Sequence, residues 1–223
     1  MKYILKLLLS LLFISSLLNA QEFKKPDFDP RLSIDSRSVQ WYNDSDDDSA
    51  SAFNIGLLYD IKIKDYKQAE FWYKQALNID KNNIDSIINL GVIYENTKRY
   101  DKAIKWYQKA HILGNISGSY NLAILYNNLL DYHKAIKWYR KAIERERIDA
   151  FKGLSLMYYK KLNDNVKAVE YFLPLIDKKY TKKKVFALFR KHWKFDEATI
   201  KKGYEAQLKS KVIPEKLKYK GGI

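Results

Sequence analysis

Few side chains of this sequence could carry chemistry, and those few are scattered. His111, His133 and His192 lie far apart, and none has a second ligand at the short spacing that zinc sites or acid–base pairs require. There is no cysteine, which removes a thiol nucleophile, a disulfide frame and a lipid-modified cysteine anchor together. The acidic run Asp44-Ser45-Asp46-Asp47-Asp48 has the look of a calcium loop. However, the position that needs glycine is Ser49 and the closing glutamate position is Ile55, so capping of the following helix is the expected role. Glu144, Glu146 and Glu170 alternate with Lys and Arg, as on a solvated helix face. No Gly-rich phosphate loop, nucleophile elbow, Ser-x-x-Lys or His-Glu-x-x-His motif occurs. The expectation is no enzyme, no metal and no cofactor.

The elements that would position any site repeat at a fixed interval. Trp72-Tyr73, Trp106-Tyr107, Trp138-Tyr139 and Tyr171-Phe172 recur every 32 to 34 residues. Ahead of each pair a small residue (Gly56, Gly91, Ala123, Ser155) is followed three positions later by tyrosine (Tyr59, Tyr94, Tyr126, Tyr158), which places both on one helix face. Around each pair runs a second stripe seven residues long: Ala69 and Ala76, Ala103 and Ala110, Ala135 and Ala142, Ala168 and Leu175. Connections such as Lys98-Arg99-Tyr100-Asp101 are long enough only for a turn between antiparallel helices. The first and fourth units hold one extra residue, near Lys62 and Asn163, and Pro174 should kink or end the last helix of the fourth. The expected fold is all-α, a right-handed solenoid of about four helical hairpins with a C-terminal helical cap.

The run Asn89-Leu90-Gly91-Val92-Ile93-Tyr94, with Tyr100-Asp101-Lys102-Ala103-Ile104-Lys105-Trp106-Tyr107-Gln108-Lys109-Ala110 after it, resembles a tetratricopeptide repeat. The repeated Lys-Ala-Ile-Lys-Trp-Tyr-x-Lys-Ala wording is similar to the Sel-one-like branch, and the likeness covers roughly residues 50–177. The resemblance implies that the first helix of each hairpin lines a concave groove that holds a protein or peptide partner. The groove candidates are Phe53, Asn54, Leu57, Ile88, Asn89, Val92, Tyr120, Asn121 and Ile124. The three asparagines could pair with the backbone of an extended peptide, or serve the scaffold by bonding neighbouring helices. A clamp for an acidic C-terminus would need lysines where Phe53, Ile88 and Tyr120 stand; only Lys152 fits.

Outside the repeats, residues 1–20 carry an apolar run after Met1 and Lys2 that ends at Ala20, read as a signal peptide. Residues 21–49 read as an extended or disordered leader, able to dock locally through Trp41 and Tyr42. Residues 178–223 read as a basic helical cap, with a helix over 198–210, then after Pro214 a Lys-rich tail whose last residues, ending Gly221-Gly222-Ile223, are mobile. A periplasmic or secreted bacterial protein is expected, touching membrane only through the uncleaved signal. The net charge of +15 is mostly lysine, so no specific nucleic acid is expected, because base edges are read chiefly by arginine. The alternative partner is an anionic polymer or membrane surface, held by the basic C-terminal region.

Overall fold

The computed structural model describes residues 24–223; the expected signal segment lies outside the described residues. These residues form eleven α-helices, short 3-10 and π turns and no β-strand. The chain divides after Ser86 into two compact units.

The first unit contains α1 (Ser38–Asp44), α2 (Ser49–Leu57) and α3 (Tyr66–Ile79). Asp48 starts α2 by accepting from the Ala50 and Ser51 amides at 3.1 and 2.9 Å, the capping role read from the acidic run. Asp65 starts α3 in the same way, accepting from the Gln68 amide at 3.2 Å. Between them the extra residue near Lys62 is absorbed as a π turn, Leu58–Ile63, closed by Lys64 in the left-handed conformation.

The reading of the leader as extended or disordered is corrected from Pro30 onward. Pro30–Ile34 is a 3-10 turn, Leu32 is buried, and α1 packs on α2. Tyr42 meets Trp72 edge to face at 6.2 Å, and its hydroxyl donates to the Pro26 carbonyl at 2.8 Å. Trp41-Tyr42 precedes Trp72-Tyr73 by 31 positions. The aromatic repeat thus begins one unit earlier, in the second helix of a truncated hairpin, and partial burial of that pair outweighs the polar composition around it.

The second unit takes in α4 (Ile84–Asn96) beyond its first turn, then α5 (Tyr100–Ile112), α6 (Ile116–Asn128), α7 (Tyr132–Glu144), α8 (Ile148–Lys160) and α9 (Asn165–Phe172). Consecutive members pack as hairpins. Each connection folds back through one left-handed residue: Lys98, Gly114, Leu130, Glu146 and Asn163. The next amide reaches back to the preceding helix, Arg99 to the Tyr94 carbonyl at 2.7 Å and Asp131 to that of Tyr126 at 2.9 Å. In the first and fourth hairpins the same bond spans one more residue, from Asp65 to Tyr59 and from Asp164 to Tyr158. That is where the sequence holds its extra residues.

Hairpins close because tyrosine seats on a small residue. A Cβ on Gly56 would lie 2.7 Å from Tyr73 Cδ1, and one on Gly91 would lie 2.3 Å from Tyr107 Cε1. Both rings are buried, and their hydroxyls donate to an acid one turn beyond the glycine: Tyr73 to Asp60 at 3.3 Å, Tyr107 to Glu95 at 2.9 Å. In the third hairpin the ring of Tyr139 instead lies against Gly153 of the next inner helix. The alanine stripe is fully buried from Ala69 to Ala168.

Pro174 ends α9 at Phe172 and forces a 3-10 turn, Leu173–Leu175. Then follow α10 (Lys182–Ala187), a π turn Leu188–His192, and α11 (Glu197–Lys209), which packs on α9 where Gly203 meets Val169. The segment after Pro214 is pinned as far as Tyr219. The buried Gln207 amide donates to the Tyr219 carbonyl at 2.7 Å and accepts from its N–H at 3.1 Å, while Ile213, Leu217 and Tyr219 are buried. One buried side chain supplies both hydrogen bonds that an extended backbone residue needs.

Two substitutions test this architecture by urea unfolding. Gly91→Ala drives a methyl into an anchored ring, which costs about 1–3 kcal/mol, of which helix propensity returns up to about 1. A net loss is expected, and an equally or more stable variant would contradict the packing. Leu130→Gly removes a β-carbon from an exposed left-handed residue and should gain about 0.5–1 kcal/mol.

Candidate functional site

The groove candidates fall on the inner helices, three to a helix. In the first unit α2 carries Phe53, Asn54 and Leu57; in the second, α4 carries Ile88, Asn89 and Val92, and α6 carries Tyr120, Asn121 and Ile124. All nine are half-buried, and each triad is flanked by buried residues: Ile55 and Gly56, Leu90 and Gly91, Leu122 and Ala123. The cause is helical geometry. Once one face seats the outer-helix tyrosine and the neighbouring hairpin, the positions one and four along fall on its shoulder.

Their surroundings differ. Phe53 lies 5.6 Å from the Tyr73 ring and Tyr120 lies 6.2 Å from that of Tyr139, so both are held by the outer helix of their own hairpin. The Arg147 guanidinium sits 5.1 Å over the Tyr120 ring. Asn54 and Leu57 border a small cavity of about 290 Å³ whose other wall includes Asp35, Arg37 and Trp41 of the leader. The leader therefore covers part of the strip in the first unit.

Two side chains fasten that leader. Asp29 accepts from the Tyr59 hydroxyl at 2.9 Å and from Arg31 Nε at 2.9 Å, and Arg31 reaches Asp65 at 3.2 Å. The hydrogen bonds from Arg31, reinforced by the one from Tyr59, hold the Asp29 carboxyl down to about 2. Burial, with the Asp29 charge, pushes the Tyr59 phenol well above its usual range.

The fourth inner helix, α8, departs from the pattern. Lys152, Gly153 and Leu156 replace an apolar–Asn–apolar triad, and Lys152 and Leu156 face the C-terminal cap across a cavity of about 550 Å³. Leu156, Phe172, Leu188 and Trp193 form its apolar wall. Its polar side is Lys152, Lys160, Lys184 and His192, with the Tyr180 hydroxyl. Aromatic contacts fix the wall: Phe172 stacks on Tyr180 at 5.7 Å and meets Trp193 edge-on at 5.4 Å, and Trp193 stacks on Tyr159 at 4.4 Å. The sequence led to a helical cap here but not to this space. The spacing of Lys152, Leu156 and Lys160 by four was the available signal.

One histidine meets a hydroxyl, His111 Nδ1 lying 2.7 Å from Ser119 Oγ. Ser119 is fully buried, and burial followed by the charges of Arg145 and Lys141 lowers the His111 pKa. With cations rather than a carboxylate on the ring, the pair ties α5 to α6 and is not set up for nucleophilic catalysis. Among the described residues no group of three or more His, Asp or Glu could hold a metal ion.

These features define an all-helical protein built of consecutive helical hairpins. Family models described as tetratricopeptide repeat match residues 49–83, 72–105 and 117–149, within these hairpins. Repeats of this family generally mediate contacts between proteins. No curated protein matches the chain significantly.

The leader clasp should depend on pH in one direction. Because the Asp29 pKa is lowered on folding, its contribution is complete above pH 4 and is lost as the pH falls toward 2. Proteolysis of the segment around Asp29 should speed up over that window, and at neutral pH in Asp29→Asn. An unchanged cleavage rate in the variant would show that the clasp does not hold the leader.

Proposed function

We propose that this protein is an exported, non-enzymatic scaffold of the Sel-one-like kind that binds a protein or peptide partner on its inner helix faces. The observation that carries the reading is the recurrence of a half-buried, largely apolar triad with one asparagine at the same positions of α2, α4 and α6. A surface that is neither core nor fully solvated, and that repeats at the spacing of the hairpins, suits an extended segment. The asparagine can pair with backbone in either direction, and the apolar members supply contact area. Export is supported by the apolar run that ends at Ala20. Secretion in a bacterial host should yield a chain beginning at Gln21, read by intact-mass measurement; a retained first segment would remove the export reading.

A second reading, attachment to an anionic polymer or membrane surface, is favoured by the exposed run Lys182, Lys183 and Lys184 with Lys191 close by on the cap. The two separate cleanly. Affinity capture from a periplasmic extract would compare the wild type with Asn89→Ala/Asn121→Ala and with Lys182→Glu/Lys183→Glu/Lys191→Glu, at low and high salt. All three should keep the same circular dichroism. The scaffold reading expects a partner retained at high salt and reduced at least tenfold by the asparagine pair alone. Capture that disappears with salt and with the charge reversals would replace it by the polyanion reading.

A further inference from the structure

We propose that the cavity between α8 and the C-terminal cap is a binding site for a single-chain fatty carboxylate, with the acyl chain against the apolar wall and the carboxylate among the lysines. The proposal rests on the cavity alone and not on the partner reading of the inner helix faces.

The lining gives the ligand's chemistry. Its wall is hydrocarbon and aromatic, from Leu156, Phe172, Val185, Leu188 and Trp193. Its charged side chains are Lys152, Lys160 and Lys184, and no Asp or Glu lines it. The nearest acid on the same helix, Asp149, is engaged by Lys179 and by Arg147, the latter at 3.5 Å. Among the described residues, Lys152, Lys160 and Lys184 form no ion pair, whereas Lys134, Lys167 and Lys218 on other helices and turns do. An apolar space edged by cations and lined by no carboxylate suits an amphiphile with a negative head.

A fatty acid fits better than a peptide. A bound backbone presents an N–H and a C=O at each residue, and burying them unpaired is costly. The lining has no Asn, Gln, Ser or Thr side chain to pair them, and Tyr180 brings the one hydroxyl. An acyl chain asks for no such partner. About 550 Å³ lies within the usual range of small-molecule sites and suits one chain, not the two of a membrane phospholipid. The wall is preorganised, since Phe172, Tyr180, Trp193 and Tyr159 already hold one another in contact.

Titration calorimetry on the purified protein tests this, with octanoate, decanoate and dodecanoate as ligands below their micelle concentrations. Binding is expected one to one, tightening by roughly threefold to fourfold for each added methylene until the cavity is full. Lys152→Glu/Lys184→Glu should weaken decanoate at least tenfold. Lys182→Glu/Lys183→Glu makes the same charge change on residues that line a different cavity, and it should leave binding unaltered. Leu156→Trp, checked by thermal melting, should abolish binding by filling the space; if it unfolds, the lysine pair still decides. Equal affinity for dodecyltrimethylammonium, no dependence on chain length, equal losses in the two charge variants, or no heat of binding would each overturn the proposal. Binding of dioleoyl phosphatidylglycerol vesicles in place of decanoate would assign the cations to a membrane surface and likewise overturn it.

Discussion

A tyrosine ring on a glycine is the contact from which the first two complete hairpins are built. Gly56 under Tyr73 and Gly91 under Tyr107 bring two helices closer than any β-carbon would permit, and the ring fills the space beside the contact. The buried hydroxyl is then satisfied by Asp60 or Glu95 one turn along, which fixes the ring's angle as well as its place. With the inner helix held in this rotation, its remaining positions have no freedom to choose their exposure. Phe53, Asn54 and Leu57, and their counterparts on α4 and α6, come out half-buried as a consequence. The candidate surface is thus a by-product of the same packing that gives the hairpin its stability.

What the sequence revealed was whatever repeats or is local. The spacing of the aromatic pairs, the buried alanines, the Asp48 cap, the stop at Pro174 and the extra residues near Lys62 and Asn163 are all set by a few neighbours in the chain. The ordered tail and the C-terminal cavity join residues that no periodicity links, whereas the leader was misjudged on its composition although Trp41-Tyr42 continues the aromatic spacing. The leader folds because Trp41-Tyr42 finds Trp72, although its own composition is polar and proline-containing. The tail is ordered by one glutamine, Gln207, meeting the backbone of Tyr219. The C-terminal cavity exists only where α8 faces the cap. Of the nine groove candidates, the sequence supplied their helix and their shared register; it did not show that leader residues border Asn54 and Leu57.

The two ends of the repeat array differ in chemistry. Toward the N-terminus the acidic leader is tied down by Arg31 and Asp29, so its charges are largely spent on itself and on Asp65. Toward the C-terminus, several lysines of α8 and α10 have no acidic partner among the described residues and stand beside aromatic side chains. The half-buried triads on α2, α4 and α6 carry asparagine and no charge, whereas the cavities at the cap are lined by lysines and apolar side chains. The chain's strongly basic composition then has a local meaning at the cap, independent of any general attraction for polyanions.

The central claim is that the ring-on-glycine contact sets the hairpin geometry, and a double-mutant cycle measures it directly. Unfolding free energies would be determined for Gly91→Ala, Tyr107→Leu and the two together. Removing the ring vacates the space the new methyl needs, so the pair should be less destabilised than the sum of the singles by about 1 kcal/mol or more. Strict additivity would mean that the two residues do not constrain each other, and that the hairpins are held by something else.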